Sequence, residues 1–187
     1  VVTGTNVVGC TTTITRTWTA NDGCGNVTNR SQVITLVDTT PPAVTTAQGA
    51  NTTLECPAVP VFSAPVFTDA CAGLITPGVA TVTNTVGCTN IITRTWTAND
   101  GCGNSTNRSQ VITLVDTTPP AVTTAQGANA TLECPAAPVF SAPVFTDACA
   151  GVITPSVVTG TNVVGCTTTI TRTWTANDGC GNSTNRS

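Results

Sequence analysis

Cysteine is the residue type in this sequence with the most chemistry to offer. The chain has 187 residues, of which ten are cysteine and none is histidine or lysine. Zinc sites usually combine closely spaced cysteine pairs with histidine, whereas no two cysteines here are closer than Cys10 and Cys24. Such spacing in a chain rich in Thr and Asn favours disulfides formed in an oxidising compartment, so we expect no metal and no cofactor.

The cysteines belong to a sequence repeat. The segment T-W-T-A-N-D-G-C-G-N occurs three times, with its aspartate at Asp22, Asp100 and Asp178, which gives a 78-residue period. The chain therefore divides into residues 1–40, the C-terminal half of a repeat; residues 41–118, a complete repeat; and residues 119–187, a repeat without its last strand. This period is too long for a solenoid unit and suits a small self-contained β-sandwich.

The composition predicts strands. Hydrophobic residues make up 40% of the chain and charged residues only 8%, and the abundant Thr and Val favour pleated, half-buried strands. Strands are expected near Thr53–Cys56, Val59–Phe67, Ile75–Val86, Thr89–Ala98 and Gln110–Val115. We therefore predict an all-β fold of tandem Ig-like β-sandwich repeats with a 78-residue period, arranged as an end-to-end array.

Alternation along two of these strands predicts the core. From residue 92 to 98, Trp96 and Ala98 share a face that we expect to be buried, with the threonines outward. Arg94 shares the inward face, where its guanidinium can stack on Trp96 or reach the end of the sandwich. In the last strand we expect Ile112 and Leu114 to point inward, since they are bulkier than their neighbours.

Strand geometry also suggests which cysteines pair. Cys88 and Cys102 flank a strand of about ten residues, whose ends lie ~30 Å apart, far beyond the ~7 Å reach of a disulfide. If the second and sixth strands of a sandwich start at one end and finish at the other, cysteines of one repeat meet in pairs at each end. The predicted bonds are Cys56–Cys88, Cys71–Cys102, Cys134–Cys166 and Cys149–Cys180. Cys10 and Cys24 are then unpaired within this chain.

Several motifs together resemble one domain family. They are T-W-T-A-N-D-G-C-G-N-S-T (Thr95–Thr106), T-L-E-C-P (Thr53–Pro57), F-T-D-A-C (Phe67–Cys71), V-G-C (Val86–Cys88) and the linker T-T-P-P (Thr117–Pro120). This set is similar to the HYR-like (hyalin-repeat) Ig-like domains in their four-cysteine form. Such domains are typical of repetitive surface proteins of Bacteroidota, including gliding-motility adhesins of the SprB type. The resemblance implies secretion, a location outside the cell or on its surface, and a role in adhesion.

Few other residues suggest a site. Thr39 and Thr117 follow Asp in a pattern similar to the Bacteroidota O-glycosylation motif, although a capped linker turn explains the same residues. Asp69 and Asp100 could help to bind calcium, but turn capping is the simpler interpretation. Without His or Lys to act as a base at neutral pH, we expect no enzyme activity.

The function we predict is structural. The chain is interpreted as a stalk or filament segment of a secreted or cell-surface adhesin, whose partners are neighbouring copies of the repeat in the same chain or the next subunit. Two alternatives stay open: a module that binds a ligand or surface polysaccharide, and a fibre subunit that polymerises by strand complementation. With a net charge of −3 and no apolar run of ~18 residues, we expect no nucleic-acid partner and no membrane insertion.

Overall fold

The computed structural model describes residues 1–187, and all of its regular secondary structure is β-strand. In chain order these are β1 (Val2–Val8), β2 (Thr11–Asn21), β3 (Val27–Val37), β4 (Ala43–Thr46), β5 (Thr52–Glu55), β6 (Val66–Asp69), β7 (Gly73–Ile75), β8 (Gly78–Val86), β9 (Thr89–Asn99), β10 (Ser105–Val115), β11 (Ala121–Thr124), β12 (Val144–Asp147), β13 (Gly151–Ile153), β14 (Ser156–Val164), β15 (Thr167–Asn177) and β16 (Ser183–Arg186). The chain has no helix with the length and apolar character needed to cross a membrane.

The strands form five sheets that follow the sequence repeat. The strand orders are β1-β2-β3, β4-β6-β7, β5-β10-β9-β8, β11-β12-β13 and β14-β15-β16. In the complete repeat, the three-stranded sheet β4-β6-β7 packs on the four-stranded sheet β5-β10-β9-β8 through side chains of β6 and β9. This sandwich-like, all-β arrangement confirms the predicted fold class.

Each sandwich encloses one small core. In the complete repeat Phe67, Trp96 and Ala98 are 0%, 3% and 0% exposed, and the half-buried Val44 and Ile75 pack against them. The next repeat forms the same core from equivalent residues, namely Phe145, Trp174 and Ala176. Burial of Trp96 and Ala98 confirms the face predicted from alternation.

The first tryptophan has different surroundings. Trp18 lies at the equivalent position of β2 yet is 40% exposed, because the sheet β1-β2-β3 has no counterpart of the β4-β6-β7 sheet packed on it. The sequence of the strand is therefore not sufficient to bury this residue. A second sheet must cover it.

Some predicted details differ in the structure. The segment from Val59 to Ala64 forms no strand, because Pro60 and Pro65 lack the N–H groups that a sheet interior needs. The short strand β4 was not predicted, and β10 begins at Ser105, five residues before the expected start. Of the two residues expected inward in β10, Ile112 is fully buried, whereas Leu114 is half-buried.

Arg94 stacks on a phenylalanine. Its guanidinium carbon lies 4.3 Å from the centroid of the Phe62 ring, and its Nε donates a hydrogen bond to Thr81 Oγ1 at 3.0 Å. The expectation of stacking was correct in kind, but the partner is Phe62 and not Trp96. Arg172 repeats the arrangement over Phe140.

Contacts between residues group the chain into two compact units. The first comprises residues 1–50, 62–81 and 93–110, and the second comprises residues 51–61, 82–92 and 111–187. The boundary crosses β8, β9 and β10, so each of these strands contributes residues to both units. All disulfides described below lie within one unit or the other.

Candidate functional site at the disulfide-bonded strand ends

Three disulfides join cysteines of successive repeats. They are Cys10–Cys102 in the first unit, and Cys56–Cys149 and Cys88–Cys180 in the second. The Cα atoms of the bonded residues are 5.4 to 5.7 Å apart, and each bond spans 92 or 93 residues of sequence. Since this span exceeds the 78-residue period, no bond closes within a single repeat.

The predicted pairing within repeats is therefore wrong, and the sheet order gives the reason. Cys56 follows β5, and Cys88 lies in the turn between β8 and β9, so both lie beside Asp116 at the end of β10. However, β10 lies between β5 and β9 in the sheet. Neighbouring strands are ~4.8 Å apart, which places these two cysteines about 10 Å or more apart and beyond disulfide reach.

The other three predicted pairs are not formed either. Cys102 bonds to Cys10, which we expected to be unpaired, while Cys149 and Cys180 bond to Cys56 and Cys88. Four cysteines are free and exposed: Cys24, Cys71, Cys134 and Cys166. Of the two cysteines expected to be unpaired, only Cys24 is free.

Backbone pairing holds Cys56 in place. Strand β5 pairs in parallel with the end of β10, with Glu55 opposite Val115, and the Cys56 N–H donates to the Val115 carbonyl at 2.8 Å. The Glu55 carboxylate accepts hydrogen bonds from the Thr117 N–H at 2.6 Å and from the hydroxyls of Thr117 and Thr118. These bonds hold the pKa of Glu55 below its ordinary value and fix the start of the linker next to Cys56.

A tight turn holds Cys180, the disulfide partner of Cys88. Asp178 Oδ1 accepts the N–H groups of Cys180 and Asn182 at 2.6 and 3.2 Å, and its Oδ2 accepts from Asn182 Nδ2. Burial raises the pKa of Asp178, but these hydrogen bonds outweigh it, so the pKa is lowered overall. Gly179 and Gly181 have φ angles of 83° and 99°, which only glycine adopts without strain.

The same turn recurs around Asp22 and Asp100. In each case the carboxylate caps the turn that holds a cysteine, which is the role we considered simpler than calcium binding for Asp100. Asp69 does the same for the Cys71 turn, because its Oδ1 accepts the N–H groups of Cys71 and Ala72.

Two buried carboxylates lie beside the Cys56–Cys149 bond. Asp116 and Asp147 are 9% and 8% exposed, and the Oδ2 atom of each accepts no hydrogen bond. Burial, then the negative charges of Asp147, Asp178 and Glu55, raise the pKa of Asp116. The third potential metal ligand of this cluster, Cys149, is in a disulfide. Two carboxylates alone fall well short of the 6–8 oxygen ligands that calcium takes.

The free Cys71 has equivalent surroundings in the first unit. Its thiol lies within 4.8 Å of carboxylate oxygens of Asp38 and Asp69. The negative charge of Asp38 is the largest influence that raises the pKa of this thiol, followed by burial and the charge of Asp69. The thiol is therefore kept protonated, which slows its reaction with electrophiles and disulfides.

One cavity borders the paired disulfides of the second unit. It has a volume of about 300 Å³ and is lined by four bonded cysteines together with Asn90, Leu114, Asp116, Ala150 and Asp178. No aromatic or cationic side chain lines it.

The two predicted glycosylation positions differ in their contacts. The Thr117 hydroxyl donates to Glu55 Oε2 at 2.9 Å, so a glycan on this oxygen would displace that hydrogen bond. Thr39 is exposed, and its repeat has no Glu55 equivalent in this chain. Modification of either residue stays a prediction.

Four cysteines per period, a buried tryptophan in the long strand and two packed sheets describe a single domain type. The chain matches the HYR-like domain with 4 cysteines over residues 39–114 and again over residues 118–186, which together are more than half of its length. This chain belongs to the four-cysteine HYR-like family. Searches of curated proteins and of solved structures find no match. HYR-like domains are extracellular adhesion-type modules, and the three disulfides agree with an oxidising location outside the cell.

Proposed function

We propose that this chain is a tension-bearing segment of a stalk or filament in a secreted or cell-surface adhesin. The observation that carries the proposal is the position of two disulfides around β9. Cys88 precedes this strand and bonds forward to Cys180, while Cys102 follows the strand and bonds backward to Cys10. Strand β9 thus has at one end a disulfide that leads to the preceding repeat and at the other end a disulfide that leads to the following repeat.

A continuous covalent path results. It runs from Cys10 to Cys102, along β9 to Cys88, and on to Cys180. Strand β9 is already extended, at ~3.3 Å per residue, so pulling on this path has almost no slack to remove. Tension applied to the ends of the chain can draw out β1 and β16, but it cannot extend the chain between Cys10 and Cys180 beyond this path while the disulfides are intact.

The effect on extensibility is large. Fully unfolded without disulfides, 187 residues span about 640 Å at ~3.4 Å per residue. With the disulfides intact, the shortest path between the two ends contains only about 30 residues, which limits the extension to about 100 Å. A segment that resists extension suits a stalk that transmits force between a cell and what it adheres to.

Single-molecule force spectroscopy tests this proposal. The oxidised chain, held at its two ends, should reach a contour length near 100 Å, and the same chain in reducing agent should reach about 640 Å. The Cys88→Ser variant should give about 320 Å, because the shortest path through either remaining disulfide, Cys10–Cys102 or Cys56–Cys149, then contains about 93 residues. The Cys166→Ser variant changes a free cysteine in the same V-G-C motif and should behave as the native chain. An oxidised native chain whose contour length exceeds about 300 Å would overturn the proposal.

The remaining functional assignments are part of the same proposal. We take neighbouring copies of the repeat as the main partners, with no enzyme activity, and place the chain among Bacteroidota adhesins of the gliding-motility type. A direct sugar-binding role has less support, because Trp96 and Trp174 are buried and arginines cover Phe62 and Phe140. Trp18 is exposed, but its position on the long strand is the one at which Trp96 and Trp174 form the cores of the other two repeats. Surface polysaccharide or glycans are then contacts of another part of the adhesin. A binding screen of this segment against glycans should give no saturable signal.

A further inference from the structure

Every free cysteine in the chain has a bonded equivalent one period away. Cys71 is equivalent to Cys149, and Cys24 to Cys102 and Cys180. Cys134 is equivalent to Cys56, and Cys166 to Cys88 and Cys10. The disulfides are of two kinds: V-G-C cysteines bond to D-G-C cysteines, and the T-L-E-C cysteine bonds to a D-A-C cysteine. The four free cysteines include one of each of these four types.

The turns of Cys24 and Cys71 have the same local structure as those of their bonded equivalents. The Cys71 N–H donates to Asp69 at 2.7 Å, just as the Cys149 N–H donates to Asp147 at 2.7 Å. The Cys24 turn has the Asp22 cap that the bonded cysteines of this type also have. Both thiols are exposed and lie in turns with the same capping hydrogen bonds as the turns of their bonded equivalents.

The turns of Cys134 and Cys166 agree as well. The Ala136 N–H donates to the Glu133 carbonyl at 2.9 Å, matching the 3.0 Å bond from Ala58 to Glu55 beside the bonded Cys56. Gly165, before Cys166, has a φ of 61°, and its equivalent before Cys88 has 58°. The turns at both positions are thus already formed, although the strand that precedes Cys56 has no equivalent before Cys134.

We propose that the four free cysteines are bonding positions for further copies of the repeat. Cys24 and Cys71 bond to the V-G-C and T-L-E-C cysteines of preceding copies, and Cys134 and Cys166 to the D-A-C and D-G-C cysteines of following copies. This inference rests on the proposed function as a stalk segment. It extends the covalent path beyond the three bonds present here, with two disulfides between each pair of successive repeats.

The bond-forming step needs an oxidant of the disulfide class. One thiolate attacks oxidised glutathione, releasing one glutathione thiolate and forming a mixed disulfide. The partner thiolate then attacks the protein sulfur of that mixed disulfide and releases the second glutathione. Two cysteine thiols are oxidised to one disulfide, and one glutathione disulfide is reduced to two thiols.

A thiol count on a lengthened chain tests the proposal. Residues 41–118 are duplicated in tandem, so the chain gains one repeat and four cysteines while its ends stay unchanged. Both chains are oxidised in a glutathione buffer and denatured, and their free thiols are counted. Each added repeat supplies two disulfides, so we expect four free thiols in the native chain and four again in the lengthened one.

Other outcomes contradict the proposal. Pairing within repeats leaves two free thiols in each chain, and an added copy that stays unbonded or misfolds leaves more than four. A Cys24→Ser variant of the lengthened chain serves as the control and should show three. If the count fails while the oxidised native chain still extends to only about 100 Å, the proposed tension-bearing role stands and its continuation into further copies does not.

Discussion

Removal of the Cys88–Cys180 bond should destabilise the second unit strongly. In the Cys88→Ser variant the remaining Cys56–Cys149 bond still restricts the unfolded chain, so the lost bond closes an effective loop of about 64 residues. On the chain-entropy estimate such a loop is worth about 4 kcal/mol. Folded domains have total stabilities of only about 5–15 kcal/mol, so the loss is a large fraction of the whole.

The matched control is Cys166→Ser. Cys166 lies in the same V-G-C-T context, but it is free and exposed. Since exposed substitutions usually change stability by no more than about 0.5 kcal/mol, this variant should unfold at the native urea concentration. The assay is urea unfolding followed by tryptophan fluorescence, because Trp174 is only 4% exposed in the folded second unit.

Three results would refute the reasoning. The first is an equal loss of stability in both variants, and the second is a Cys88→Ser variant as stable as the native chain. The third is a Cys88→Ser variant in which Cys56 becomes the reactive thiol, because that would indicate pairing within the repeat. The structure predicts that the substitution releases the Cys180 thiol instead. In reducing agent the native chain and Cys88→Ser should unfold alike.

Three further predictions concern individual polar side chains. Gln110 is 3% exposed; its Oε1 accepts the Ser63 N–H and its Nε2 donates to the Ala50 carbonyl, so Gln110→Ala should cost about 1–3 kcal/mol in urea unfolding. Gln32→Ala at the exposed equivalent position should cost nothing measurable. Asp38→Asn should speed alkylation of Cys71, measured by mass spectrometry, because it removes the charge that raises the pKa of this thiol; an unchanged rate would contradict the assignment. Asp116 has a raised pKa in the folded state, so the folded chain favours its protonated form. The stability that this form contributes is complete below the unfolded pKa, near 3.8, and is lost as the pH rises through the folded pKa. Asp116→Asn should therefore melt at a higher temperature than the native chain at pH 7 and not at pH 3, and a difference independent of pH would count against this cause.

Local sequence patterns were sufficient for the fold and its core. Strict alternation in β9 placed Trp96 and Ala98 inward because a strand has a two-residue period that survives in any sandwich. The exposure of Trp18 shows the limit of this reasoning. Its strand has nearly the same sequence, but burial also depends on a second sheet that the strand itself does not specify.

The disulfide partners could not be predicted from the sequence of a single repeat. Strand length correctly separated Cys88 from Cys102, since it depends only on the number of residues between them. Which cysteine each one meets depends on sheet order, and the insertion of β10 between β5 and β9 has no local sequence signature. The prolines at positions 60 and 65 did signal an interrupted strand, although not that the strand would start only at Val66.

The central claim is that disulfides join successive repeats, and a tryptic disulfide map tests it most directly. Trypsin cuts this chain only after its six arginines, since it has no lysine. After the free thiols are blocked at low pH, we expect peptide 1–16 to be linked to peptide 95–108, and peptide 31–94 to be linked to both peptide 109–172 and peptide 173–186. Peptide 17–30 should be unlinked. A map in which peptide 31–94 is linked to peptide 95–108, and peptide 1–16 is unlinked, would contradict the claim.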